Sequence, residues 1–247
     1  MFNNTDKNYR KFTGFTIAEV LITLGVIGVV SAMTLPSVIH KYKIKSLETS
    51  FKKSYSLLSQ ALLKMKADDV YLEKQPNNVY YFNDTFSKYF KTIRKYNEDT
   101  WDLTKLGYKN SHFRDPSNSI DFNKGGHDRG AFILNNGAII FNTGNWWTNP
   151  SNNGKTEYFE FMIDTNGTKA PNRLGYDVFY FQIAPENKLL PSDRTKFNDS
   201  SPSSSGCCNL TTYNTCYQTD NGCACAYYAL KDRNPQDETK GYWKSLK

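Results

Sequence analysis

The run "GFTIAEVLITLGVIGVVSAMTLPSVI", residues 14–39, constrains this chain more than any other stretch. Residues 15–35 contain one ionisable group, Glu19. A helix of that length rises about 32 Å, enough to cross the hydrocarbon core of a bilayer. A carboxylate at the bilayer centre costs about 2.5–3.5 kcal/mol on insertion scales. Glu19 therefore needs a partner, and finding it is the first step towards a function.

The flanks indicate which side of the membrane the rest of the chain occupies. Residues 1–14 carry Lys7, Arg10 and Lys11 against Asp6, three cations to one anion and so a net charge of +2. Basic charge before a span favours a cytoplasmic N-terminus, so the remainder is expected outside the cytoplasm. A secretory signal would place its small-residue cleavage site after the apolar run. Here the small residue, Gly14, stands before it. A cut after Gly14 would discard the basic leader, keep the apolar helix and make Phe15 the new N-terminus. Its amine and the Glu19 carboxylate would lie about one helical turn apart. They could also meet between neighbouring chains, where the two charges are tolerable together in a dry environment.

With Gly14, Phe15, Thr16, Glu19 and Pro36 in place, the N-terminus resembles the signature of type IV pilins and of the pseudopilins of type II secretion systems. The resemblance rests on residues 1–50 and says less about the rest. It implies cleavage after Gly14 by a prepilin peptidase, a membrane aspartyl enzyme, and N-methylation of Phe15. It also implies assembly through Glu19 and Pro36 with other pilin or pseudopilin subunits and with inner-membrane assembly machinery. The expected division is a leader over residues 1–14, a transmembrane and amphipathic helix over 15–66, and a periplasmic or extracellular head over 67–247. The expected location is the inner membrane as a single-pass protein with its N-terminus in the cytoplasm, then an envelope filament.

Pro36 lacks a backbone N–H and is expected to kink or loosen the helix locally. Gly25, Gly28, Ser31 and Ala32 would let helices approach closely, although glycine is also common in ordinary membrane helices. Beyond the proline, Ile44, Leu47, Phe51, Tyr55, Leu58, Leu62 and Met65 recur at helical spacing and need a surface to bury against. The opposite face carries Lys41, Lys43, Lys45, Lys52, Lys53, Lys64 and Lys66, opposed before Ala67 by Glu48 alone. A solvated face is preferred over contact with anionic lipid or acidic neighbours.

From Ala67 onward helical periodicity fades. A short helix is expected over residues 84–93. Residues 131–134 and 138–141 form a hairpin, with Asn136 and Gly137 supplying positive φ angles in its turn. Residues 156–164 and 177–184 make two further strands. Short strands on short connections favour an antiparallel sheet that covers the helix stripe. The fold expected is α+β and pilin-like: a long N-terminal helix packed on an antiparallel sheet.

Between the last two strands, Asp164, Asn166, Asn172 and Asp177 offer oxygen ligands of the kind Ca²⁺ takes. The spacing is not that of an EF-hand loop, and Asx residues beside glycine are common in plain turns, so the turn reading is preferred. No other cofactor is implied. After a polar link at residues 198–206 come Cys207, Cys208, Cys216, Cys223 and Cys225. Their spacing lacks paired C-x2-C, and export favours oxidation, so two disulfides are expected rather than zinc. Adjacent Cys207 and Cys208 are expected to reach different partners among Cys216, Cys223 and Cys225, with one cysteine left over.

The chain contains no G-x-S-x-G, H-E-x-x-H, P-loop or dinucleotide fingerprint, so no enzyme is expected. His112 and His127 in loops are a weak basis for catalysis. Two classes remain: a structural filament subunit, and a binding module displayed on such a filament for adhesion or DNA capture. A net charge of +7, 17 Tyr, 16 Phe and the Trp146, Trp147 pair are compatible with nucleic acid. The basic residues concentrate on the helix, however, and the structural subunit is preferred.

Overall fold

The computed structural model describes residues 14–72, 79–96, 103–117, 121–122, 130–148, 156–192, 208–210 and 222–247. The chain divides into two compact units, Met1–Lys43 and Ile44–Lys247. One helix, α1 (Ile17–Ala67), provides elements of both.

Within the first unit α1 is apolar and exposed, with Ile17 81% and Met33 76% accessible. It is the one helix among the described residues long and apolar enough to cross a membrane. The helix runs through Pro36 unbroken.

In the second unit, α1 buries Leu47, Phe51, Ser54, Leu58, Ala61, Leu62 and Met65. Ile44 and Tyr55 pack on the same core while half-buried. This is the stripe that the sequence periodicity marks, widened by Ser54 and Ala61. The helix ends on a residue with positive φ, Asp69 (φ 55). Asp69 N–H returns to the Lys66 carbonyl at 3.2 Å and Val70 N–H to that of Met65 at 2.9 Å. These two bonds define a Schellman ending, and Val70 packs on the core that holds Met65.

The sheet has six strands in the order β1 (Thr92–Tyr96), β4 (Ala131–Leu134), β5 (Ile139–Thr148), β6 (Thr156–Asp164), β7 (Val178–Ala184), β8 (Lys188–Pro191). Every neighbouring pair is antiparallel. A separate two-stranded ladder joins β2 (Phe113–Arg114) to β3 (Asp121–Phe122). The alternation of β6 and β7 sends Phe159, Phe161, Phe179 and Phe181 to the core shared with α1. Phe51 sits 4.5 Å from Phe179 and 5.4 Å from Trp243 by ring centroids. The other face sends Phe141, Met162, Val178 and Tyr180 to a second core under Leu103, Leu106, Tyr108 and Phe113. Every residue of β7 is buried, as expected for a strand covered on both faces.

Three differences from the sequence reading stand out. The helix expected over residues 84–93 is α2 (Val79–Phe86), extended by a short 3-10 turn (Ser87–Tyr89), and residues 92–96 are strand β1. Phe82 and Phe86 pull that helix onto the phenylalanines of β6, 4.0 Å for Phe82 to Phe159 and 5.7 Å for Phe86 to Phe161, a tertiary pull that local propensity does not register. In the hairpin only Gly137 has positive φ (+87). Gly137 N–H closes the turn on the Leu134 carbonyl at 2.9 Å, and Leu134 N–H meets the Ala138 carbonyl at 2.8 Å. This is a three-residue loop with a left-handed glycine, not a two-residue turn. Two C-terminal helices, α3 (Cys225–Lys231) and α4 (Tyr242–Ser245), complete the first core. Trp243 Nε1–H donates to the Ala229 carbonyl at 3.2 Å, and Tyr242 O–H donates to the Gly175 carbonyl at 2.6 Å.

Candidate functional site

The residues expected to carry processing sit at the start of α1. Gly14 is exposed, and a Cβ built there meets nothing within 4 Å. Phe15 is exposed too. Glu19 has a partner in its own chain. The Thr16 N–H and hydroxyl donate to Glu19 Oε2 at 2.8 and 2.9 Å, and the Glu19 N–H donates to Thr16 Oγ1 at 3.2 Å. This reciprocal arrangement is a capping box, Thr16 at the N-cap and Glu19 at the third helical position. It satisfies two backbone donors at the helix start and places the carboxylate against the positive end of the helix dipole. The T-x-x-E spacing of Thr16 and Glu19 is its signal in the sequence. Among the described residues Glu19 Oε1 takes no bond.

Gly25 and Gly28 also have open space where a Cβ would stand. Among the described residues nothing requires small side chains there. The lysine face is partly neutralised: Glu48 pairs with Lys45 at 3.0 Å and also with Lys52, and Lys66 meets Glu186 at 3.1 Å. The Lys52 hydrogen bond outweighs burial and holds the Glu48 carboxyl below its ordinary range.

The proposed calcium ligands converge in the turn between β6 and β7. Asp164 and Asp177 are fully buried. Asp164 Oδ2 accepts the Tyr108 hydroxyl at 2.8 Å, and Oδ1 accepts Asn166 N–H at 3.1 Å. Asp177 accepts Asn172 N–H on Oδ2 at 2.8 Å and Arg173 N–H on Oδ1 at 2.7 Å. The Asn166 side chain also bonds Asp177, while its Oδ1 is buried with no partner. Oriented to satisfy the loop, the Asn172 amide donates to the carbonyls of Gly167 (3.2 Å) and Lys169 (2.9 Å). Each carboxylate oxygen thus already accepts a protein donor, and two loop carbonyls are taken. A carboxylate oxygen can accept two partners, so a Ca²⁺ ion, which takes six to eight oxygens, would share these atoms with the donors already on them. The arrangement is that of a hydrogen-bonded turn. Burial, and for Asp164 the neighbouring Asp177 charge, pushes both carboxyls up, Asp177 to about 7. Burial likewise raises the Tyr108 phenol. Arg173, half-buried above the Tyr176 ring at 3.8 Å, donates to the Pro116 carbonyl and ties the loop to the second core's covering segment.

Cys208 and Cys225 form a disulfide, Cα atoms 4.9 Å apart, between residues that are both buried in the first core. Cys223 is buried in the second. Cys207 and Cys216 lie outside the described residues, as do His127 and the link at 198–206. The side chains of Trp146 and Trp147 are likewise outside the description, although β5 carries both residues. His112 is half-buried with Nδ1 2.8 Å from the Ser111 hydroxyl. No protein-family model matches the chain, no curated protein matches its sequence, and no solved structure matches its fold.

Proposed function

We propose that this chain is a structural subunit, a pseudopilin or minor pilin, of a type II secretion or type IV pilus-like filament. The observation that carries the reading is the Gly-Phe-Thr-x-x-Glu start on an exposed apolar helix that continues directly into the core of an α+β head. Prepilin peptidase cuts after Gly14, an exposed residue outside any regular element, and Phe15 is then N-methylated. Residues 15–35 hold the subunit in the inner membrane, N-terminus in the cytoplasm and head outside it. In the precursor the capping box occupies Glu19 Oε2. The other oxygen is left for the Phe15 amine released by cleavage, on the same chain or the next. That pairing sets the register as helices enter the filament, and energy for assembly comes from machinery outside this chain.

The test is the intact mass and N-terminal sequence of protein recovered from its native membrane. A chain beginning at N-methylated Phe15 supports the reading. One beginning at Met1 overturns it. The capping box favours a second reading in that event: an uncleaved single-span envelope protein, in which Glu19 serves helix initiation alone.

A further inference from the structure

The first unit carries a groove around Pro36. It is lined by Ala32, Leu35, Pro36, Ile39, His40 and Lys43 and has a volume of about 430 Å³. These positions follow one another at three- and four-residue steps, so they share one face of α1. Ala32, Leu35, Pro36 and Ile39 supply its apolar lining. From Ala32 to Ile39 the helix rises about 10 Å, within the depth of one leaflet of a bilayer whose hydrocarbon core is about 30 Å thick. The groove is apolar over that length and cationic at one end.

That end falls where the apolar surface stops. Ile39 is the last exposed aliphatic residue of the first unit, and His40, Lys41, Tyr42 and Lys43 follow, all exposed. An exposed tyrosine at this level is what an interfacial anchor requires. Among the described residues no carboxylate pairs with Lys41 or Lys43, whereas Lys45, the next lysine, is held by Glu48 at 3.0 Å. Lys41 and Lys43 are thus the first lysines beyond the apolar surface, and both lie within about one turn of its end.

We infer that this face binds a phospholipid with an anionic headgroup, its acyl chain along Ala32 to Ile39 and its phosphate at His40 and Lys43, with Lys41 adding to the field. A second copy seated in register on the same face would bring Lys43 against Lys43, so charge favours the lipid. The inference rests on the membrane-span reading of α1 but not on cleavage after Gly14.

The experiment reconstitutes the full chain in phosphatidylcholine vesicles with trace spin-labelled phosphatidylglycerol or spin-labelled phosphatidylcholine, and measures the motionally restricted fraction of each. Flotation is scored first. A chain that does not float with the vesicles overturns the span and the lipid site together. A chain that floats without preferring phosphatidylglycerol overturns the lipid site alone. The expected preference is up to about fivefold per lysine at low salt, declining in high salt. Lys41→Gln with Lys43→Gln should abolish it while flotation persists, and Lys64→Gln with Lys66→Gln should leave it intact. Equal preference in the first variant and the wild type refutes the assignment. So does efficient disulfide cross-linking of Ile39→Cys between copies in the same vesicles, which would show that a second chain fills the groove.

Discussion

At the scale of single residues, the roles of Gly14 and Glu19 are separable by substitution. Because a Cβ at Gly14 meets nothing within 4 Å, Gly14→Ala should leave the fold intact. Loss of processing in that variant, read by intact mass, would then belong to peptidase recognition, and unchanged maturation would refute the cleavage site. Glu19→Ala should still be cleaved but enter filaments poorly; normal incorporation in a filament pull-down would remove the register role. The Asp164 and Asp177 pair makes a prediction about pH. Burial raises the Asp177 carboxyl from 3.8 to about 7. The folded state therefore binds more protons than the unfolded one between those values, and stability falls as pH rises through that range. The contribution is complete below about pH 4, the unfolded value, and is lost as pH rises through about 7. Thermal melts of the detergent-solubilised chain at pH 5 and pH 8 should show this decline, and Asp177→Asn should flatten it. If the turn instead holds calcium, adding calcium over a chelator will raise the melting temperature at pH 8; no change is expected.

At the scale of elements, α1 has two kinds of surface with different energetics. Phe51 is fully buried against Phe179, Phe181 and Trp243. Phe51→Ala should cost about 3–5 kcal/mol, enough to unfold a marginal head, measurable by chemical denaturation. The end of the helix offers the opposite change. Asp69 adopts a left-handed conformation that glycine holds without steric cost. Asp69→Gly should raise stability by about 0.5–1 kcal/mol, against the backbone entropy that glycine adds to the unfolded chain. A lower melting temperature in that variant would show that the Asp69 side chain has a role beyond the turn. Gly175 shows the reverse constraint. Its φ is +74, and a Cβ there would come within 2.8 Å of the Tyr242 hydroxyl and 2.9 Å of Cys225 Sγ.

At the scale of the whole molecule, the Cys208–Cys225 disulfide links the segment before α3 to α3 itself, across a sequence separation of 17. Closing a loop of that size restricts the unfolded chain and is worth about 2–4 kcal/mol. Reduction, or Cys208→Ser with Cys225→Ser, should lower the melting temperature while leaving α1 in place by far-UV circular dichroism. The groove at Pro36 belongs to this scale too, because only the alignment of an apolar span with its first unpaired lysines gives it a depth.

The sequence by itself determined the elements whose signals are local and periodic. The apolar length of α1, its amphipathic stripe, the hairpin, and the bounds of β6 were all legible, because 3.6- and 2-residue periods record which face is buried. The capping box is legible as T-x-x-E at Thr16 and Glu19. What tertiary structure decided is where distant residues meet. The pairing of β1 with β4, the docking of α3 and α4 through Trp243 and Tyr242, and the choice of Cys225 as the partner of Cys208 join segments far apart in the chain. Asp164, Asn166, Asn172 and Asp177 could be named from sequence as oxygen donors. Only the folded turn shows that backbone N–H groups and the Tyr108 hydroxyl already hold the carboxylates. Periodicity reports burial along one element, whereas a hydrogen-bond partner or a core neighbour is set by the closure of the whole chain.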